Sequence, residues 1–135
     1  MADIEKYRRF FAADTYAALS SCRLVSAENG EPVCEMDVTE NHRNAAGGVH
    51  GAAIFTLIDF AFAVCVNIPF ADGETDKATL AESVSVSYMR RPRGNRLTAK
   101  AVPLHLGRTV AVSRIIVYDE DGRPVAEALC NGIRT

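Results

Sequence analysis

Apolar and polar positions follow a helical rhythm in the first half of the chain and a strand rhythm in the second. Ile4, Tyr7, Phe10, Phe11 and Leu19 recur mostly at three- and four-residue steps with charges between them. That spacing predicts a short amphipathic helix within residues 3–19. Val33, Glu35, Asp37 and Thr39 then alternate with Cys34, Met36 and Val38, and Asn29-Gly30 stands before them. Asn-Gly is a two-residue turn signal, so residues 22–28 and 32–39 predict a β-hairpin. Residues 40–48 are polar and then glycine-rich, as a loop is. From Val49 to Asn67 the pattern is helical again. Leu57, Ile58, Ala61, Phe62 and Cys65 give one face, and Phe55, Ala63 and Val66 cover the others. A helix apolar all round is expected to be surrounded by protein. Pro69 and the polar run 71–76 are expected to end it.

The remainder predicts strands. Residues 83–88 alternate strictly, and residues 96–105, 109–118 and 124–134 follow, separated by the turns 91–95, 106–108 and 119–122. Long strands joined by short turns should be antiparallel. One long apolar helix and a run of antiparallel strands are satisfied together if the sheet curls around the helix, or if a second subunit covers what the sheet leaves open. The expected class is α+β, a curved antiparallel sheet wrapped around one central helix, with a helix at the N-terminus. The whole chain, 1–135, reads as a single domain.

Composition removes several classes of function. With 48% hydrophobic residues the chain can bury a core, and a net charge of −2 with a pI of about 5.9 offers nucleic acid no overall attraction. Cys22, Cys34, Cys65 and Cys130 contain no C-x-x-C pair, and His42 and His105 show no metal spacing, so no metal is expected. The thiols are expected to be reduced in a cytoplasmic protein. The N-terminus is too charged for a secretory signal. The apolar stretch 51–68 is at the short limit for a membrane span and holds Asp59 at its centre, so it reads as a core helix.

Two features of the central segment carry chemistry. Gly47-Gly48-Val49-His50-Gly51-Ala52 opens the helix. The first N–H groups of a helix lack intrahelical partners and point outward at its positive end, which suits an oxyanion or a thioester oxygen. No Gly-Lys-Ser/Thr follows, so this is not a phosphate-binding P-loop. Asp59 is the second feature. Its neighbours three and four positions away are Phe55, Thr56, Phe62 and Ala63, none of them a cation. A carboxylate desolvated without a partner is costly and has a shifted pKa, which is how general bases are made. Gly51 and Asp59 stand eight residues apart on one helix. That is roughly 12 Å along the axis, too far for both to touch one carbonyl carbon. If both act on one substrate they come from different chains, two helices running antiparallel about a two-fold axis.

Asn44, His50-Gly51-Ala52, Leu57-Ile58-Asp59, Ala61 and Asn67, with Ser87-Tyr-Met-Arg-Arg-Pro92 downstream, resemble the hotdog-fold acyl-CoA thioesterases of the PaaI type. The resemblance implies a mechanism for these residues. Gly51 N–H would polarise the thioester carbonyl. Asp59 of the other subunit would act as general base or nucleophile, Asn44 would position the water or the carbonyl, and His50 would brace the turn. The family usually has His-Gly-Gly where this chain has Ala52, which keeps the N–H and narrows the acyl or thioester path. In some relatives a serine or threonine assists the water, but Ala81 and Ala63 stand at those places here. Ser83 is a substitute candidate, and on strict alternation it shares a face with Ala81. Phe55 and Tyr88 are expected near the acyl group, and Arg90, Arg91 and Arg108 near the phosphates of coenzyme A. No cofactor is implied, because coenzyme A belongs to the substrate. The implied assembly is a homodimer with shared sites, paired into a homotetramer, with no nucleic-acid or membrane partner. A hotdog protein that binds acyl-CoA without turning it over is the alternative, and Asp59 separates the two readings. No Gly-x-Ser-x-Gly is present for a serine hydrolase.

Overall fold

The computed structural model describes residues 3–135. Two short helices lead the chain, α1 (Ile4–Phe11) and α2 (Thr15–Leu19), where the periodicity predicted one. The break has a local cause. The Asp14 carboxylate accepts the Ala17 N–H at 3.0 Å and starts a second helix. The hairpin follows as β1 (Cys22–Ser26) and β2 (Val33–Asp37). The connection is longer than the two-residue turn that Asn-Gly signals: residues 27–32 intervene, with a short 3-10 turn at Glu28–Gly30 in which Asn29 and Gly30 take positive φ, 57° and 71°.

The long helix α3 spans Gly51–Ala71 and does not stop at Pro69. Proline keeps a helical φ, and in the last turn it deletes one N–H only. The helix closes four residues later on Gly73, at φ 73°. Gly73 N–H bonds Phe70 O at 3.1 Å and Glu74 N–H bonds Pro69 O at 2.9 Å. Those two bonds satisfy carbonyls that the helix end leaves open.

Four strands complete the chain: β3 (Thr79–Tyr88), β4 (Arg96–Leu106), β5 (Val110–Tyr118) and β6 (Pro124–Arg134). All neighbours are antiparallel, in the order β1-β2-β4-β5-β6-β3. The sheet wraps α3, and Phe62, Met36, Leu57, Ile58, Leu97 and Ile115 are fully buried between them. This is the hotdog architecture. Although α3 is long and apolar enough to cross a membrane, its side chains pack into this core. β3 lies at an edge and runs along α3, tied to it at both ends. Asn67 accepts Thr79 N–H at 2.7 Å and donates to Thr79 O at 2.9 Å. At the other end, Tyr88 donates its hydroxyl to Gly51 O at 3.2 Å.

Two expectations change here. α3 is not covered on every side, because Ala52, Phe55 and Asp59 are exposed along one stripe. The alternation of β3 is also not strict. Ala81 pairs with Gly132 and Ser83 with Asn131, so Glu82 is an extra residue that reverses the parity of the strand. Ala81 therefore shares the inner register of Gly132, while Ser83 lies outside and its Oγ accepts from Asn131 Nδ2 at 3.1 Å.

Candidate active site

The turn before α3 is built by one side chain. Asn44 Oδ1 accepts the N–H groups of Ala46 at 3.0 Å and Gly48 at 3.1 Å, while Gly47 takes φ 85°. Its oxygen is committed twice, so the Nδ2 end is what Asn44 can still offer a substrate. Buried His42 holds the same segment from behind. Its Nδ1 accepts Thr39 N–H at 2.9 Å and its Nε2 donates to Ser20 O at 3.0 Å. Arg91 lies over the turn, its Nε 2.7 Å from where a Cβ on residue 48 would stand, and donates to Ala46 O at 3.3 Å. A side chain at 48 would push that guanidinium aside.

At the helix start, His50 Nδ1 accepts Ala52 N–H at 3.0 Å, and His50 O accepts from Ala53 and Ile54. The histidine is an N-cap. It uses the Ala52 N–H, so Gly51 is left with the one first-turn N–H that meets no acceptor among the described residues. The Tyr88 ring stands 3.6 Å from the place a Cβ on residue 51 would take. Around this point opens a cleft of 350 Å³ lined by Asn44, Gly48, Gly51, Tyr88, Arg90 and Arg91, among others.

Asp59 lies two turns further along α3 on the open stripe. Desolvation raises its pKa, and the negative charge of Asp14 adds to the shift. No cation and no hydrogen-bond donor among the described residues opposes that rise. Asp59 also approaches the sheet's inner face: after burial, its charge contributes to pushing the Cys130 thiol up to about 12. The nearby hydroxyl, Thr56 Oγ1, is spent on Ala52 O at 2.9 Å.

The structure thus brings Asn44, Gly51, Tyr88, Arg90 and Arg91 to one cleft and puts His50 at its cap. Ala52, Phe55 and Asp59 sit on the adjoining open stripe. Ser83 is turned to the outer face of the sheet. Arg108, in the β4–β5 turn, is at the opposite end of the sheet from Tyr88, since Val110 neighbours Ile133 and Ile133 pairs with Leu80 near the start of β3. No group of three or more His, Cys, Asp or Glu side chains among the described residues could hold a metal ion.

One supporting group escaped the sequence reading. Asp119, just after β5, is buried and accepts the N–H groups of Arg93 and Arg123, both at 3.0 Å, and the Arg123 guanidinium at 2.7 Å. Burial alone would raise its pKa, but the Arg93 and Arg123 bonds outweigh it and hold the carboxyl at about 2.

Residues 46–126 match the thioesterase superfamily, more than half of the chain. The chain belongs to that superfamily. Human acyl-coenzyme A thioesterase 13 is 30% identical over 98 residues, covering 72% of this chain and 67% of the human one. Acyl-coenzyme A thioesterase PaaI of Escherichia coli is 28% identical over 114 residues, covering 84% of this chain and 77% of PaaI. The solved structure of E. coli PaaI superposes with a TM-score of 0.81 over 99% of this chain and 96% of that one, at 25% identity. The protein is therefore a thioesterase with the hotdog fold of PaaI.

Proposed function

We propose that this thioesterase hydrolyses acyl-CoA thioesters to a carboxylic acid and coenzyme A, at two equivalent sites of a symmetric dimer. The observation that carries the reading is a separation. An unused N–H at Gly51 and an unpaired, desolvated Asp59 stand on one helix, roughly 12 Å apart along its axis. A second copy with its α3 antiparallel would bring its own Asp59 to the Gly51 cleft and cover the open stripe.

In this reading the thioester oxygen accepts from Gly51 N–H, at the positive end of α3, with Asn44 Nδ2 as a second donor. The partner's Asp59 takes a proton from water as the water oxygen bonds the carbonyl carbon. The tetrahedral intermediate then expels coenzyme A thiolate, which recovers the proton. Raising the pKa of a carboxylate base brings it nearer the working pH and strengthens it. Direct attack by Asp59 would instead form an acyl-aspartyl anhydride, and ¹⁸O found in the aspartate after a single turnover in ¹⁸O-water would mark that route, since water opening the anhydride at its aspartyl carbonyl labels the enzyme. Arg90 faces the phosphates of coenzyme A, and Arg91 lies beside it, held on the turn before α3. Tyr88 and the partner's Phe55 border the acyl group, in keeping with aryl or short to medium fatty acyl chains. No cofactor enters beyond the coenzyme A that the substrate carries.

Pairing of dimers into a tetramer would use the outer face of the sheet, where Val110, Leu129 and Ile133 are exposed. Four free, buried cysteines suit a reducing cytoplasm. A thiol-release assay across an acyl-CoA panel, with light scattering on the same sample, tests the proposal. Folded protein that releases no thiol from any acyl-CoA would sink it, and an active monomer would sink the shared site.

A further inference from the structure

The segment between β3 and β4 carries Arg90, Arg91 and Arg93 and has no helix or strand of its own. It is nevertheless pinned at four backbone groups by the β5–β6 turn, in addition to Met89 N–H on Val125 O and Val38 N–H on Asn95 O, both at 2.8 Å. Arg123 Nη2 donates to Arg91 O at 3.1 Å, and Asp119 Oδ2 accepts Arg93 N–H at 3.0 Å. Glu120 N–H bonds Arg93 O at 3.3 Å, and Glu120 Oε1 accepts Asn95 N–H at 3.0 Å. Because Arg91 in turn lies on Gly48 and bonds Ala46 O, one run of contacts joins Asp119 to the turn that opens α3. The three arginines are differently placed. Arg91 is occupied by the turn, and Arg93 is 3.9 Å from Asp121. Arg90 lines the cleft and has no polar partner among the described residues.

We infer that the Asp119–Arg123 pair is a positioning device for the nucleotide end of the substrate: it holds the backbone of residues 91–95 so that Arg90 stands ready at the cleft for a phosphate. Neither residue of the pair touches the reacting atoms. A loop fixed before binding spares the substrate the entropy of ordering it, and that gain appears in binding of the phosphate-bearing half alone. The inference rests on the acyl-CoA reading above.

The test compares two substrates with the same acyl group, one on coenzyme A and one on pantetheine, which lacks the nucleotide and its phosphates. Calorimetry with free coenzyme A and free pantetheine runs beside it. Arg123→Gln releases Arg91 O and unpairs Asp119. It should raise KM for the acyl-CoA roughly tenfold, the size of a lost charge-assisted contact, with kcat nearly unchanged. Values for the pantetheine thioester should stay at wild type, and Arg123→Lys should recover part of the loss. Equal losses on both substrates would overturn the inference and leave the pair merely structural. If Arg123→Gln does not fold, Glu120→Ala, which frees only the Asn95 N–H and the end of an exposed side chain, must show the same selective rise in smaller measure, or the inference fails. A wild type that neither hydrolyses acyl-CoA nor binds coenzyme A would sink the underlying reading instead.

Discussion

The two halves of the proposed site, eight residues apart on α3, are finished to different degrees. At Gly51 everything nearby is anchored: His50 caps the helix, Asn44 ties the turn, Tyr88 bonds the first carbonyl and Arg91 covers Gly48. At Asp59 nothing is anchored, and the carboxylate shares an exposed stripe with Ala52 and Phe55. In the proposed dimer the bare half of one copy meets the finished half of the other. The oxyanion half is a backbone feature and can be made locally. The base half needs a carbonyl brought to it, and in the proposed dimer the Gly51 turn of the other chain brings one.

The largest effect should come from deleting the finished half. Gly51 is the first residue of α3, and His50 before it lies at φ −68°, ψ 138°, a conformation that tolerates a following proline. Gly51→Pro removes the free N–H while keeping the helix start. Turnover should fall by about two to three orders of magnitude, as for loss of an oxyanion donor, with circular dichroism unchanged. A folded variant with near wild-type kcat would remove Gly51 from the mechanism.

Next comes the bare half. Asp59→Asn should keep the oligomer and lower thioester hydrolysis by at least about a hundredfold. In the wild type, kcat/KM should rise with pH through a value above the ordinary 3.8 of an aspartate, as Asp59 ionises. That limb should vanish in the variant.

A smaller loss tests how firmly the finished half must be held. Tyr88→Phe removes the hydroxyl bond to Gly51 O and keeps the ring. One such exposed bond is worth about 1 kcal/mol at most, so kcat should drop no more than about fivefold while KM moves less. A larger loss would mean that Tyr88 touches the substrate through its oxygen.

The smallest effect is on stability, and its sign is informative. The folded-state pKa of Asp59 lies above its unfolded value, so the fold favours the protonated form. Its contribution is fully present below about pH 3.8 and is lost as pH rises through the raised pKa. Asp59→Asn should therefore melt slightly higher than wild type at neutral pH. The gap should close on acidification, as read by Tm across pH. A variant that melts lower at neutral pH would argue that Asp59 is a structural ligand of some backbone group.

Much of this was legible from residue pattern. Element order, the Asn-Gly turn, the long helix and the spacing of Asn44, Gly51 and Asp59 are local features, and local rhythm reports them. What stayed hidden depends on contacts between distant segments. The bulge at Glu82 cannot be seen in an unbroken alternating run, so Ser83 was assigned to the wrong face. The Asp119 and Arg93 bond spans 26 residues, and each partner alone reads as an ordinary turn residue. The open stripe of α3 was unreadable because apolar periodicity reports what a helix wants to bury and not which chain buries it. One miss did have a signal: Asp14 after two alanines is an N-cap pattern. Of the two stops expected for α3, the run 71–76 ends it, at Asp72-Gly73, and Pro69 does not.

The central claim is that each site takes Gly51 from one chain and Asp59 from the other. Gly51→Pro and Asp59→Asn chains carrying different affinity tags can be co-expressed and the mixed dimer isolated. Each parent dimer is expected to be nearly inactive. The mixed dimer holds one site with both lesions and one with neither, so its thiol release should recover to about half that of the wild type. A mixed dimer as inactive as its parents would place Gly51 and Asp59 in the same chain's site and contradict the account.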